Sequence, residues 1–470
     1  MNEHAFRTAA ADAAGRLADH WRSLASCELP VVPPGPPGTT LKALPETAPE
    51  QGEDLACILE DTWHTIVPQL MHWQHPNFLG YYPTNNSPAS VLAELVTAGL
   101  GVQGMMWSTS PAATELEQRV CDWLARALGL PPRFTHASGL GGGVIQDSAS
   151  SAALVAVAAA LHRASRGRWR EHGTEGRLRV YCTDQANHSV PKVVRIAGAG
   201  EPVLVPTVPG THTMDPVALA DRLDADRAAG LVPAAVVATV GTTATCAIDP
   251  VPRIGAVCRE RGVWLHVDAA YAGSAALCPE LRAEDAESEL AESYAVNAHK
   301  WMRTGIPCDI LWVADRKDLT DALGATSSYL RNDATDSGQV VDFKDWQVPL
   351  GRPMRALKLW YVLRAHGLEG LREVIRHDIR LAALLASLVE REPGFRLVAH
   401  RLGLVVLRAE TDESTREVTR RLTGKPQVLC TPATVDGRPV LRAALGSPYA
   451  DETTVRRAWD TVRACASPAS

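Results

Sequence analysis

Between about residue 90 and residue 350, short apolar runs alternate with segments of helical periodicity. The runs fall at 178–181, 202–205, 234–240, 264–267 and 310–313 and are rich in Val, Ile, Leu and aromatic residues. Apolar positions recur every three to four residues over 152–166, 215–229 and 253–261, which predicts helices there. Strand and helix in alternation predict an α/β fold, a mostly parallel sheet covered on both faces, with ligands at the carboxyl ends of the strands. Upstream, Phe6, Ala10, Ala13, Leu17, Trp21 and Leu24 form one apolar stripe on a predicted helix over 4–26, followed by the Pro-rich stretch 30–37. Such a stretch is extended and excludes helix. The spacing therefore predicts an arm that docks on a second subunit, with packing on its own chain as the alternative. After a predicted helix over 354–366 the pattern changes. Runs at 395–398, 404–407 and 440–443 alternate with helices over 415–422 and 452–464, a smaller α+β domain. The expected division is an arm at 1–89, a large α/β domain at 90–360 and a small domain at 361–470.

Composition narrows the classes. The 470 residues are 46% hydrophobic with a formal charge of −6, which supports a large core. No Lys/Arg stripe suggests nucleic acid, and no apolar run suggests a membrane span. The N-terminus lacks the cationic start and apolar core of a signal peptide. Ten scattered cysteines without a Cys-x-x-Cys pair fit reduced thiols and a cytoplasmic location. His72 and His75 are too isolated to argue for a metal site, so none is expected.

Chemistry concentrates in two motifs. Lys300 sits in Asn297-Ala298-His299-Lys300-Trp301, within an apolar segment of a chain whose basic residues are nearly all Arg. A lysine in an apolar site loses its proton readily, and its neutral amine attacks carbonyls to form a Schiff base. Asp268 ends an apolar run, and a carboxylate there needs a cationic partner. The protonated ring nitrogen of pyridoxal 5'-phosphate is such a partner, and lysine plus carboxylate is the minimum equipment for that cofactor. Residues 139–150 read as a glycine-rich turn with no strand leading in. It runs into Ser148, Ala149 and Ser150 at a helix start, a phosphate cradle or a plain N-cap. Asn187 and His188 follow one strand and Thr243 another, placed to touch a flat ligand or simply to cap turns. Tyr329 lies in the long polar run 325–338, a lid or an exposed loop.

Taken in order, these motifs resemble the pyridoxal-phosphate-dependent group II amino-acid decarboxylases, most closely the aromatic-L-amino-acid decarboxylases. They are 142–146, Asp184-Gln185-Ala186, His266-Val267-Asp268-Ala269-Ala270-Tyr271, His299-Lys300-Trp301 and 346–352. The resemblance covers nearly the whole chain. It implies fold type I (aspartate aminotransferase-like), a homodimer with the active site at the subunit interface, a small-molecule amino-acid substrate and a swapped N-terminal arm. It also implies roles. Lys300 carries the cofactor, and Asp268 keeps its ring nitrogen protonated. Ser148, Ala149, Ser150 and Asn297 take the phosphate, Thr243 sits near the ring oxygen, and Ala270 and His299 sit beside the ring. Trp73, Tyr81, Tyr82, Thr84, Gln103, Met105 and Gly351 match substrate-lining positions. Tyr329 matches the loop tyrosine that protonates the substrate carbon after CO₂ leaves.

Two departures separate this chain from the family pattern. Asn187 stands where a ring-stacking His is usual, with His188 one position later. In relatives that make aldehydes oxidatively, an Asn here is a marker, whereas Tyr329 argues for ordinary decarboxylation. Gln103 and Met105 replace more apolar or aromatic residues, and Gly351 leaves room for a large ring such as an indole. The expected activity is decarboxylation of an aromatic L-amino acid to its amine. The alternatives are O₂-dependent conversion to an aldehyde, ammonia and H₂O₂, an aminotransferase, and a scaffold without catalysis. Retention of both Lys300 and Asp268 argues against the last.

Overall fold

The computed structural model describes residues 3–83, 86–283, 286–324, 333–423 and 425–466. The chain forms two compact units, Thr84–His377 and the pair of segments Met1–Pro83 and Asp378–Ser470. Tyr329 and Thr84 lie outside the described residues.

Within Thr84–His377, a seven-stranded sheet runs in the order Gly142–Gln146, Asp309–Val313, Ser293–Asn297, Trp264–Asp268, Val232–Thr239, Leu178–Cys182, Val203–Leu204. Asp309–Val313 is antiparallel to both neighbours, and every other adjacent pair among these strands is parallel. Cross-strand partners share a face. The register therefore aligns Val144, Leu311 and Ala295 on one face, with Trp264, Ala235 and Val180 continuing it. That face packs against the helix Ala149–Ala164, whose Ala152, Val155, Ala156 and Ala159 are buried in the same core. Small alanines let helix and sheet approach closely, and the strands, buried on both faces, read as unbroken apolar runs.

The glycine-rich segment differs from its expected form. Gly142–Gln146 is a fully buried strand, so a strand does lead into the helix that Ser148 caps. A Cβ on Gly143 would stand 2.6 Å from the Trp312 indole nitrogen, so this glycine serves strand packing and not a phosphate. Ser293–Asn297 was not expected as a strand, because Ser, Tyr and Asn break its apolar pattern. The helix expected over 354–366 runs on as Ala356–Arg391, with one break at Gly367, φ 62°.

In the other unit, Phe78–Leu79, Leu429–Val435, Arg438–Ala444, Leu404–Ala409 and Phe395–Arg401 form a sheet in that order. Leu381, Leu385 and Val389 from one helix and Val455, Trp459 and Val462 from another fill its core. The N-terminal helix, Glu3–Ala25, buries Leu24, and its Arg16 pairs with Glu60 at 2.7 Å. The Pro-rich stretch is anchored: Val31 is fully buried, its N–H donates to Pro426 and its carbonyl accepts from His72 N–H.

Candidate active site

Four strands of the large unit end on one rim of the sheet. The register places Thr239 beside Asp268, and Asn297 beside Asp309, which in turn lies beside Gln146. All five side chains share the face that carries the helix Ala149–Ala164, and all five residues are buried. Two of them, Asp268 and Asn297, are among the residues expected in a site.

The chain leaves this rim through Asn297 into the single turn Ala298–Trp301, which presents Lys300 half-buried. The turn is held firmly. Trp301 is fully buried and stacks on Tyr271 with ring centres 5.2 Å apart. Asn297 N–H donates to the Ala270 carbonyl at 3.2 Å, which ties the lysine turn to the segment after Asp268. His299 Nδ1 lies 3.1 Å from the Cys308 N–H and 3.0 Å from its carbonyl, and Nε2 lies 3.3 Å from Asn297 Nδ2. Burial, reinforced by the charge of Lys300, pushes the His299 imidazole down to about 4, so it is neutral at physiological pH.

Asp268 Oδ1 accepts the Ala270 N–H at 3.1 Å. Behind it on the strand, His266 is completely buried. It takes its proton only near pH 4 because burial outweighs the attraction of Asp268. Its Nδ1 is 2.8 Å from Ser293 Oγ, which also accepts the Trp264 indole N–H at 2.8 Å.

The helix Ala149–Ala164 begins at the same rim. Ser148 caps it by accepting Ser151 N–H at 3.1 Å, which leaves the N–H groups of Ala149 and Ser150 without intrahelical acceptors. These donors, with the positive end of a 16-residue helix, suit a phosphate. Asn187 Nδ2 donates to Thr243 Oγ1 at 3.2 Å, and Asn187 Oδ1 accepts Ser189 N–H at 2.9 Å. His188, the next residue, is exposed at the start of the helix Ser189–Ile196.

The positions matched to substrate divide between the units. Trp73 and Tyr81 stack at 5.5 Å and are exposed, while Tyr82 is buried; all three belong to the unit that contains the termini. In the large unit, the Gln103 carboxamide oxygen accepts Arg352 N–H at 2.6 Å, and a Cβ on Gly351 would stand 3.0 Å from Gln103 Nε2. Met105 is half-buried, and its carbonyl accepts Lys344 N–H at 2.9 Å.

The sequence did not single out Asp309, whereas Gln146 closes the motif 142–146 and Thr239 lies in the run 234–240. The buried pair Arg352–Glu117 at 2.7 Å also went unnoticed. A polar residue just ahead of the apolar run 310–313 was the available signal for Asp309.

One small molecule needs an amine, an anion and a phosphate cradle together: pyridoxal 5'-phosphate, with its aldehyde, basic ring nitrogen and phosphate. The residues present fit it. Thr239 Oγ1 is buried on this rim without a hydrogen-bond partner among the described residues, and the helix Ala149–Ala164 starts just after Gln146 on the same rim. The chain belongs to the pyridoxal-dependent decarboxylase family, whose conserved-domain model matches residues 37–410. It is a pyridoxal-phosphate-dependent amino-acid decarboxylase by that membership. It is 40% identical to a phenylacetaldehyde synthase of Arabidopsis thaliana over 463 residues, 96% of this chain and 94% of that protein. It is 39% identical to tryptophan decarboxylase 2 of Oryza sativa subsp. japonica, over 95% of this chain and 91% of the other. The crystal structure of Oryza sativa TDC with PLP and tryptamine superposes with a TM-score of 0.94 at 37% identity, covering 99% of this chain and 98% of that one.

Proposed function

We propose that the chain decarboxylates an aromatic L-amino acid to the corresponding amine, as one of two identical subunits. The observation that carries the chemistry is the placement of Lys300, Asp268 and the N-terminus of Ala149–Ala164 on one rim. The aromatic substrate is supported by full-length likeness to enzymes named for tryptophan and phenylacetaldehyde.

When bound, the cofactor supplies an aldehyde that captures the substrate amine and a ring that accepts the electron pair left by departing CO₂. The protein does the rest. Lys300 would supply the amine that holds the aldehyde between turnovers. Asp268 holds a proton on the ring nitrogen, which keeps the ring electron-poor. The N–H groups of Ala149 and Ser150 with the hydroxyls of Ser148 and Ser150 would hold the phosphate, with Asn297 as a further contact. Asn187 and Thr243, joined by their own hydrogen bond, would contact the ring, as would Ala270 and His299. Within the large unit, Gln103, Met105 and Gly351 would face the substrate side chain, and the role left to Tyr329 is delivery of a proton to the substrate Cα.

The dimer is supported by apolar side chains left in the open. Leu92, Leu95 and Leu100 on the helix Pro88–Leu100 are each at least half exposed, as is Phe6 on the N-terminal helix. Exposed apolar rows of this kind mark association surfaces. In this reading residues 1–89 form an arm exchanged between subunits, ahead of a catalytic domain at 90–360 and a small domain at 361–470. No helix among the described residues is long and apolar enough to cross a membrane, and all ten cysteines are free thiols. Both fit a cytoplasmic enzyme.

Asn187 favours a second reading, O₂-dependent formation of an aldehyde, ammonia and H₂O₂. One experiment decides between them. The purified protein is loaded with pyridoxal phosphate and given tryptophan, tyrosine, phenylalanine, dopa and 5-hydroxytryptophan in turn. Amine, aldehyde, O₂ and H₂O₂ are measured together. Amine as the main product of at least one substrate supports decarboxylation. Stoichiometric H₂O₂ without amine transfers the function to the second reading.

A further inference from the structure

Asp309 has no part in the chemistry above, yet it is the most unusual group on the rim. It opens the strand Asp309–Val313 and is completely buried. The register sets it directly opposite Gln146 on one side and Asn297 on the other. Such neighbours share a face, with Cβ atoms about 5 Å apart. Both carboxyl oxygens of Asp309 lack a hydrogen-bond partner among the described residues, as do Gln146 Oε1 and Asn297 Oδ1. The nitrogen ends of the two carboxamides face elsewhere. Gln146 Nε2 donates to the Trp346 carbonyl at 2.8 Å, and Asn297 Nδ2 lies 3.3 Å from His299 Nε2.

The row therefore consists of oxygens that can only accept. Each buried unsatisfied oxygen is costly, and a buried carboxylate without donors costs more. A single proton on Asp309 changes the balance, because a carboxylic acid donates as well as accepts. Charge points the same way. Burial and then the negative charge of Asp268 push the Asp309 carboxyl well above the usual carboxylate range, against the opposing pull of Lys300. Further charged groups lie nearby. Asp147 adds to the negative field at Asp309 and pairs with Arg355 at 3.7 Å, and Lys358 adds its charge at His299.

We propose that Asp309 is a positioning residue that stays a protonated carboxylic acid in the working enzyme, donating its single O–H to the carboxamide oxygen of Asn297. The anionic charge of this sheet face then rests on Asp268, where the cofactor ring needs it. Through Asn297, the residue before the lysine turn, the donor also steadies His299 and Lys300. A second anion beside Lys300 would instead hold its proton and oppose release of the neutral amine. This assignment rests on the cofactor site proposed above.

The test uses the full-length protein with Asp309→Asn and Asp309→Leu. Infrared spectroscopy on the protein without cofactor should show a protonated carboxyl band that persists from about pH 6 to about pH 9. That band should vanish in Asp309→Asn. In the loaded enzyme, the visible band of the lysine-bound cofactor is titrated with pH. Asn is neutral, nearly isosteric and still a donor, so its midpoint should stay within about 0.3 pH units of native. Leu removes the donor and should weaken cofactor retention about tenfold, a loss expected for one buried hydrogen bond. A midpoint displaced by about one pH unit or more in Asp309→Asn would show that Asp309 is ionised and overturn the proposal. So would native-like cofactor retention in a folded Asp309→Leu. If borohydride fixes no cofactor to Lys300 in the native protein, the site assignment fails instead. The infrared band still judges Asp309 by itself.

Discussion

Asn187 donates its side-chain amide to Thr243 Oγ1 across 3.2 Å while its carboxamide oxygen accepts Ser189 N–H at 2.9 Å. Both ends of the carboxamide are thus committed, and the group is held by the loops after two parallel strands. An imidazole here would present a flat aromatic face; the carboxamide presents a smaller, polar one. Replacing Asn187 by His should raise the amine share of the product. Tyr329→Phe should cut amine formation by about a hundredfold, the scale of a lost general acid, and raise aldehyde and H₂O₂. Product ratios that ignore both substitutions would remove both residues from the proton-transfer step.

Lys300→Ala should abolish turnover, and borohydride should no longer attach cofactor to the protein. Asp268→Asn should keep part of the cofactor, because the amide still reaches the ring nitrogen, yet lower the rate by about a thousandfold through loss of the charge. The check is single-turnover kinetics alongside cofactor content. An Asp268→Asn enzyme at native speed would place the carboxylate outside the site.

The large domain was legible because its strands are buried on both faces, so each is an unbroken apolar run between helices of regular period. Lys300 and Asp268 stood out as charged groups at the ends of such runs. Ser293–Asn297 escaped because its polar residues interrupt the apolar run: Ser293 accepts the Trp264 indole N–H, and Asn297 pairs with Asp309 on the rim. Gly143 misled for a related reason. Its lack of a side chain makes room for the Trp312 indole, a contact between residues far apart in sequence that local pattern does not carry. Asp309 was hidden because its importance lies in the cross-strand register with Gln146 and Asn297.

The buried imidazoles set an acid limit on stability. His266 and His299 are each lowered from the usual 6.5 to about 4, chiefly by burial. The unfolded chain takes up these protons near pH 6.5 while the folded chain does not. Each group's full contribution to stability is therefore present above about pH 6.5 and is lost as pH falls toward about 4. The displacement is worth about 3 kcal/mol per group. Denaturant melts of the cofactor-free protein should show midpoints falling over this window. His266→Asn should flatten the slope while lowering stability at pH 7. An unchanged slope would mean that His266 is already charged in the folded state.

Gly351 and Gln103 should set how large a ring the site accepts. The Gln103 oxygen is fixed by Arg352 N–H, so its amide end faces a residue without a side chain. Gly351→Ser places an atom 3.0 Å from that amide and fills the adjacent space. Activity on tryptophan should fall about tenfold more than activity on phenylalanine, the effect of crowding a larger ring. Equal losses on both substrates would locate Gly351 away from the side-chain pocket.

The pair Arg352–Glu117 should govern the stability of the strand that leads to the helix Ala149–Ala164. Glu117 Oε1 accepts both Arg352 Nη2 at 2.7 Å and Ile145 N–H at 2.8 Å. Arg352 and Arg355 both donate to the Ile145 carbonyl at 2.8 Å, and Arg352 lies over the Phe343 ring at 4.8 Å. Both side chains of the pair are almost fully buried. Removing one partner strands the other charge, so Glu117→Ala should cost about 4 kcal/mol. Cofactor retention should fall with it, because Ile145 stands three residues before the cap Ser148. Replacing both partners with apolar residues, Glu117→Leu with Arg352→Met, removes the stranded charge and should recover much of the folding stability. It should not recover cofactor retention, since Arg352 no longer anchors the Ile145 carbonyl. Urea melts and cofactor absorbance measured on the same samples separate the two effects. Full recovery of both in the double variant would mean that the pair does nothing beyond filling space.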